Sequence, residues 1–533
     1  MKKLITLLLA AGMVFGSFAG AQAVDFKVKG TFQLDYGIAD GLSLAKTNRN
    51  GKTVYGSGRG ADTFEAGQRV RFQIDAVASE NLSATVFFEI GDFEWGSGYG
   101  TSKGVGGFGQ RSMTAGVRYA YLDWFVPNTA LQFRMGLQNI NVPSFTFAYS
   151  PVMAYEGTAV AATYKFNENA SVTAFWARPL NDNAAADSAY TTWGTNKAQR
   201  ELDNVDMFGL LVPLSFDGFK VTPYGILGMI GPRSLGYNTS EAGGAQRLSI
   251  LSQPRYWSTH NVSRGNPDVA RSPHSYATAW WVGLTGEITA ADPFRFAWEG
   301  TYGSISYPDA GYLNRHGWYI NALAEYKLDW GVPGIYAWWA SGDDSNPRNG
   351  SERLPMLAQD TGDYPLSTLA WNGAISNSTA EGLFYRNDPS GTWGIGVRIR
   401  DMSFLEDLKH TLRVHFIGGT NSPTMAKYML GKKNIGGLRA SSGAMDFNTA
   451  GAGTQQGGLY LTTQDYALEV TLDSVYKIYE NLELMVELGY MHLWLDQSRS
   501  VWGAGVNPAT GARIRGVSTT DAIKAGITLM YSF

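Results

Sequence analysis

The chain has 533 residues, of which 13% are aromatic and 17% charged, with 64 Gly and a formal net charge of −3. A soluble chain usually carries about 25% charged residues, so this one is poor in them. No basic excess is available to hold nucleic acid. The absence of Cys excludes disulfides, Cys-ligated zinc, iron–sulfur clusters and a thiol nucleophile.

The first segment is an address. Lys2 and Lys3 precede an apolar run from Leu4 to Phe18, and Ala21-Gln22-Ala23 supplies a small-x-small cleavage pattern. This reads as a secretory signal peptide over 1–23, leaving residues 24–533 as the mature protein. Nothing downstream approaches 18 consecutive apolar residues, so no transmembrane helix is expected.

Beyond it the hydrophobic period is two. Phe26, Val28, Phe32, Leu34, Tyr36 and Ile38 alternate with Lys27, Lys29, Thr31, Gln33 and Asp35, the pattern of a strand with one apolar and one polar face. Eighteen such strands are predicted: 26–38, 68–78, 82–92, 112–125, 130–139, 157–166, 170–177, 203–216, 219–230, 276–288, 294–303, 316–328, 334–341, 392–401, 410–419, 463–478, 481–495 and 521–533. If 170–177 and 334–341 were not strands, sixteen would remain. The connections alternate long and short, nine long and eight short in the eighteen-strand reading. An antiparallel transmembrane β-barrel with short periplasmic turns and long outer loops has this pattern. A closed barrel is also the only all-β solution in lipid, because an open sheet edge would be unsatisfied there. Sandwiches and propellers alternate too, but strands this long fit the roughly 9–11 residues of a tilted membrane strand, and no blade-length repeat is visible.

The closing run Ile523, Ala525, Ile527, Leu529, Tyr531, Phe533 alternates to a terminal aromatic. Tyr531 and Phe533 thus look like the signal that outer-membrane barrels present to their assembly machinery. Aromatics recur at strand ends (Trp95, Trp124, Phe216, Phe219, Phe294, Trp330, Trp494), as an interfacial girdle in outer-membrane lipid would.

With the signal peptide, the opening Val24-Asp25-Phe26-Lys27-Val28-Lys29-Gly30 strand and the closing Tyr531-Ser532-Phe533 in view, the whole chain resembles the general bacterial porins. It is most similar to the outer-membrane homotrimeric porins of sulfate-reducing, Desulfovibrio-type bacteria. The resemblance implies a water-filled diffusion channel assembled as a trimer. It also implies that the stretch after Gly136-Leu137-Gln138, running through Asn141, Pro143, Ser144 and Tyr149 to Glu156, is a third loop that folds inward and narrows the pore. The general porins carry several acids in that loop; the stretch from Ile140 to Glu156 holds Glu156 alone.

Catalysis is not expected. No G-x-S-x-G occurs, and none of the six His lies in a hydrolase motif. Gly104, Gly106 and Gly109 form a G-x-G-x-x-G in an outer loop with no helix to follow, so a nucleotide site is not read there. Asp343, Asp344, Asn346, Asn349 and Glu352 could offer oxygens to calcium, but at spacings unlike an EF-hand. No cofactor is expected. The chemistry lies instead in the polar face, which places Arg69, Arg71, Arg118, Arg134, Arg295, Arg398, Arg400 and Arg413 in the bore, opposed by Glu89 and Glu325. With the other polar-face residues, including Asp206, bases outnumber acids, so a mild anion preference is expected. A sugar- or organic-acid-selective channel and a barrel phospholipase are the alternatives.

Overall fold

Alternating sequence becomes a closed sheet. The computed structural model describes residues 24–41, 45–47, 63–96, 104–105, 115–146, 150–180, 204–231, 275–309, 311, 314–346, 349–356, 369, 389–431, 461–497, 502–503, 505–506, 513–514 and 518–533. The 1–23 segment and Tyr149 lie outside these. The barrel strands are β1 (Asp25–Asp40), β2 (Thr63–Ser79), β3 (Leu82–Trp95), β4 (Ala115–Phe125), β5 (Leu131–Asn141) and β6 (Ala154–Lys165). Next come β7 (Ser171–Leu180), β8 (Val205–Leu211, resuming at Leu214–Phe216), β9 (Phe219–Ile230), β10 (Ala277–Ile288), β11 (Phe294–Ser306) and β12 (Arg315–Tyr326). The last six are β13 (Val332–Ala340), β14 (Thr392–Leu405), β15 (Leu408–Gly419), β16 (Tyr466–Tyr479), β17 (Leu482–Trp494) and β18 (Ala522–Ser532).

Each strand pairs antiparallel with the next, and β1 pairs with both β2 and β18, which closes an eighteen-stranded antiparallel barrel. Both doubtful strands exist, so the sixteen-strand alternative falls. β8 breaks at Val212-Pro213, where Pro has no N–H to give the ladder. Its tight hairpins use residues that tolerate a left-handed backbone: Asn128, Asp407 and Gly218 have φ of 59°, 64° and 69°.

The two faces differ as the alternation requires. Phe26, Val28, Leu122, Trp176, Leu284, Ile320 and Val397 are exposed on the outside, while Gln33, Asp35, Thr285, Glu299, Glu469 and Glu487 are buried inside. The girdle aromatics Trp95, Trp124, Phe216, Phe219, Phe294, Trp330, Trp494 and Tyr531 are all exposed. The longest strand, β2, has 17 residues, more than the roughly 9–11 that lipid needs. Among the described residues no helix is long and apolar enough to cross a membrane, which says nothing about strands.

The interior is not uniformly polar. Val142, Val152, Met153 and Tyr155 join Phe175, Ala177, Val205, Met207, Ile226 and Trp281 in a continuous apolar core within the long-loop half. That core exists because loop residues fold inward and need an apolar wall to pack on.

Candidate functional site

The site is the interior wall with the loop residues that lie against it. Arg71 on β2 donates from Nε to Glu89 on β3 at 2.6 Å. Arg118 on β4 gives one nitrogen to Glu89 at 3.3 Å and another to Glu156. The Tyr119 hydroxyl donates to the same Glu156 oxygen at 2.8 Å. A bulge skips Arg118 in the β3–β4 pairing, so the side-chain parity of β4 changes there. The pairing of β4 with β5 ends at Ala120↔Leu137. Beyond that point the β5–β6 hairpin leaves its neighbour, and Asn139 and Glu156, which face one another across it, meet β4.

Residues 142–146 and 150–153 form the inward segment, with Val142 N–H donating to Met153 O at 3.0 Å. Ser144 and Ser150 then donate their hydroxyls to Glu299 on the inward face of β11, the first at 3.2 Å. Arg295, two residues before Ala297 on the same strand, donates to Phe145 O. Asn141 ends β5 opposite Ala154, and Pro143 is half-buried. The segment therefore reaches from β5 and β6 to β11 across the interior.

A second inward contact comes from the β13–β14 connection. The indole N–H of Trp281 donates to Pro355 O at 2.7 Å, and Leu354 and Met356 are buried. Leu369 N–H donates to Glu469 at 2.9 Å. Glu469 also holds His415 at 3.2 Å, whose other nitrogen meets the Tyr336 hydroxyl at 2.9 Å. Sequence reasoning missed this loop, because its inward residues carry no periodic signal.

Of the remaining basic residues, Arg295, Arg400 and Arg134 sit toward the short-turn end, Arg398 and Arg413 near mid-strand, and Arg69 in the long-loop half of β2. Glu325 accepts from Arg295 at 2.8 Å, Arg398 at 2.7 Å and Arg400 at 2.8 Å. Its side chain is buried, which only such compensation makes tolerable. Arg413 donates to Asp473 and Thr471. Arg69 donates to Gln33 at 2.6 Å, which in turn holds Asp35. Arg134 grips Asp123 through two nitrogens at 2.9 and 2.8 Å and lies over the Tyr121 ring.

Three corrections to the charge count follow. Asp123 faces inward, because the Arg118 bulge shifts parity along β4. Glu287 also faces inward, accepting from Lys220 and Arg295 at 3.0 Å each. Asp206 faces outward, paired to Arg178 and to the exposed Trp176. The basic excess expected at Arg118 and Arg134 is thereby offset by Glu89, Glu156 and Asp123.

The acidic stretch after β13 spends its oxygens on itself. Asn346 N–H and the Asn349 amide donate to Asp344 at 2.6 and 2.8 Å, and Asn349 donates to Glu352 at 3.0 Å. Among the described residues no group of three or more His, Asp or Glu could hold a metal. Of the glycine motif, Gly104 is described and Gly106 and Gly109 are not. At the seam, Phe533 N–H donates to Gly30 O at 2.9 Å and Gly30 N–H to Phe533 O at 2.8 Å, while the Tyr531 and Phe533 rings stack.

No protein-family model matches the chain. No curated protein sequence matches it either. Several solved barrels are similar across nearly the whole length. OccAB3 of Acinetobacter baumannii shares 11% identity at a TM-score of 0.46, covering 95% of this chain and 100% of its own. OpdQ of Pseudomonas aeruginosa shares 10% at 0.45, covering 96% and 98%. OpdK of the same organism, solved with vanillate, shares 9% at 0.45, covering 95% and 98%. Likeness this distant transfers neither solute nor oligomeric state, and the resemblance to porins of sulfate-reducing bacteria rests on sequence.

Proposed function

We propose that the protein is a porin: a passive, water-filled channel for small hydrophilic solutes and ions across the outer membrane of a Gram-negative bacterium. One observation carries this reading: a closed eighteen-stranded barrel with an apolar, aromatic-rimmed exterior and an interior walled by ion pairs. Such a wall has a use only if water or solute meets it, since an apolar filling would be at least as stable. Arg69, Arg71, Glu89, Arg118, Arg134, Arg295, Glu325, Arg398, Arg400 and Arg413 line the interior in this reading. Segment 141–156 is its constriction, with Ser144 holding the loop against Glu299.

A mild anion preference belongs to the same proposal, with its source moved from the paired arginines. Lys27, Lys29 and Lys165 are exposed on the inward parity near the short-turn end, and Lys220 is half-exposed beside a nearly buried Glu287. The mature chain is 24–533 after cleavage, and Tyr531 and Phe533 are its assembly signal. It forms a homotrimer as the resembled porins do. No catalytic role belongs to this reading: Tyr336, His415 and Glu469 are hydrogen-bonded together and buried.

The second reading is a solute-selective channel, favoured by the two inward loops, whose residues contact the interior wall at Glu299, Trp281 and Glu469. Planar-bilayer recording of the purified protein tests both. A steady ohmic conductance with a reversal potential on the anion side supports the first reading. Blockade by one solute class at low concentration supports the second, and no conductance from inserted protein refutes both.

A further inference from the structure

Among the described residues, much of the inward face in the long-loop half of the barrel is buried. Inward residues of β5, β10, β11, β12, β16 and β18 there, Gln138, Trp281, Thr301, Tyr319, Glu469 and Lys524, are each at most 1% exposed. The register makes this a property of the wall rather than of single residues. Arg398, Arg413, Thr471, Gly489 and Lys524 form one continuous row across β14 to β18, and Thr471 at its middle is fully buried.

The wall behaves otherwise on β3, β4 and the middle of β2, where Arg71 follows the buried Arg69. The side chains of Arg71, Glu89 and Arg118 are 26%, 22% and 20% exposed, and Glu156 opposite them 21%. Phe87 and Tyr119 stack beside them and are half-buried. Gly116, paired with Glu89, is exposed, and a Cβ built on it would meet only Glu89 O at 3.8 Å. The reason is the splay described above: where β5 leaves β4, the inward hairpin opens a cleft on the β4 side while it seals the β11 side.

We propose that the passage through the long-loop half runs eccentrically against β2–β4, and that Glu89 is the residue that holds it neutral between Arg71 and Arg118. This rests on the channel reading and fixes where in the bore that reading operates. The four charges there alternate as Arg71, Glu89, Arg118 and Glu156, each cation shared with a carboxylate. Their sum is zero, so this stretch passes either sign and discriminates little. Glu89 bridges two arginines, so neutralising it leaves them opposed by Glu156 alone. A charge in a narrow passage is screened less than one at the mouth, so this single change should dominate selectivity.

The chain has no Cys, so a single introduced thiol is read without background. Gly116→Cys and Thr471→Cys are compared after insertion into liposomes, using a membrane-impermeant cationic methanethiosulfonate reagent and mass detection. Heat-modifiability of each variant checks that the barrel has formed. The expected result is complete modification of Gly116→Cys, with loss of current through modified channels, and no modification of Thr471→Cys. Equal modification of the two thiols, or modification of Thr471→Cys alone, overturns the eccentric passage. Because labelling is read by mass, it decides this point even if the wild-type protein carries no current, an outcome that refutes the channel reading by itself. In conducting channels, Glu89→Gln is expected to shift the reversal potential in a salt gradient toward anions, more at low salt than at high. An unchanged reversal potential overturns the role of Glu89.

Discussion

Gly30 lies under the terminal ring. A Cβ built there would stand 2.6 Å from Phe533 Cζ and 2.5 Å from Arg71 O, so any larger residue must push the ring or the β2 backbone aside. The same two residues exchange the last backbone hydrogen bonds of the seam. Overpacking of this kind costs about 1–3 kcal/mol. Gly30→Val should therefore lower the temperature at which the folded band converts to the unfolded one, and reduce the amount assembled. Its unit conductance should stay at the wild-type value, because the contact is on the outer face, and electrophoresis with bilayer recording checks both halves. Glu325 makes the opposite point at the same scale: three guanidinium groups meet one buried carboxylate, so its charge is structural before it is electrostatic steering. Arg398 and Arg400 thus have less influence on ions than their number implies.

Loops act here through their anchors. Glu299 holds Ser144 and Ser150 from one side, and Arg118 with Tyr119 holds Glu156 from the other. Glu299→Ala removes both serine anchors, so the segment stays attached to β4 and keeps only the Arg295–Phe145 contact with β11. Unit conductance should rise and the open-channel current become noisier; a wild-type trace would show that the anchor does not set the aperture. A pH response belongs to the loop after β13. Burial, with Asp344 and Asp343 nearby, pushes the Glu352 carboxyl up to about 7. An acid whose folded pKa lies above its unfolded one stabilises the fold when protonated. That contribution is present below about 4.5, the ordinary value, and is lost as pH rises through about 7. Amide exchange at Asp343, whose N–H donates to Asn421 at 3.0 Å and not to Glu352, corrected for its intrinsic rate, should accelerate between pH 5 and pH 8, about one to two units on either side of the shifted group. Glu352→Gln should remove that trend.

The same elements show what sequence can carry. All eighteen strands were legible because strand parity is local: Phe26 to Ile38 alternates whatever it pairs with. Side-chain direction was legible only where parity survived. Asp123 was left out of the inward acids because the bulge at Arg118 depends on the register of β3, which no residue of β4 encodes. Gly91 marks a similar shift opposite Arg69; its φ of 127° shows why Gly stands there, but not which partner is skipped. Asp206 was misread for another reason. Val205 and Met207 face inward onto apolar loop residues, so polar no longer means inside. The Ser150–Glu299 contact spans 149 positions, and neither residue announces the other.

Closure is the property of the whole molecule on which the rest depends. β18 pairs Ile523 to Ser532 with β1 and Ala522 to Tyr531 with β17, so it is the single strand joining the two ends of the chain. Removing residues 522–533 would leave β1 and β17 with free edges, and the gap is one strand wide. In water an open edge is a tolerable liability that charge or a bulge can blunt. In lipid each unpaired N–H or C=O costs several kcal/mol, and a ten-residue edge multiplies that beyond the stability of any barrel. β1 could close the gap only by pairing with β17 directly. Its inward Gln33 and Asp35 would then need new partners, since Asp35 now accepts from Thr528 on β18 at 2.7 Å. The truncated chain should therefore fail to convert to the heat-modifiable form, whereas loss of Phe533 alone should lower yield and leave a conducting barrel. Refolding both variants into detergent micelles and liposomes, followed by unheated electrophoresis, separates the cases. A truncated chain that still inserts and conducts would mean that seventeen strands can close, and that β18 serves recognition rather than the seam.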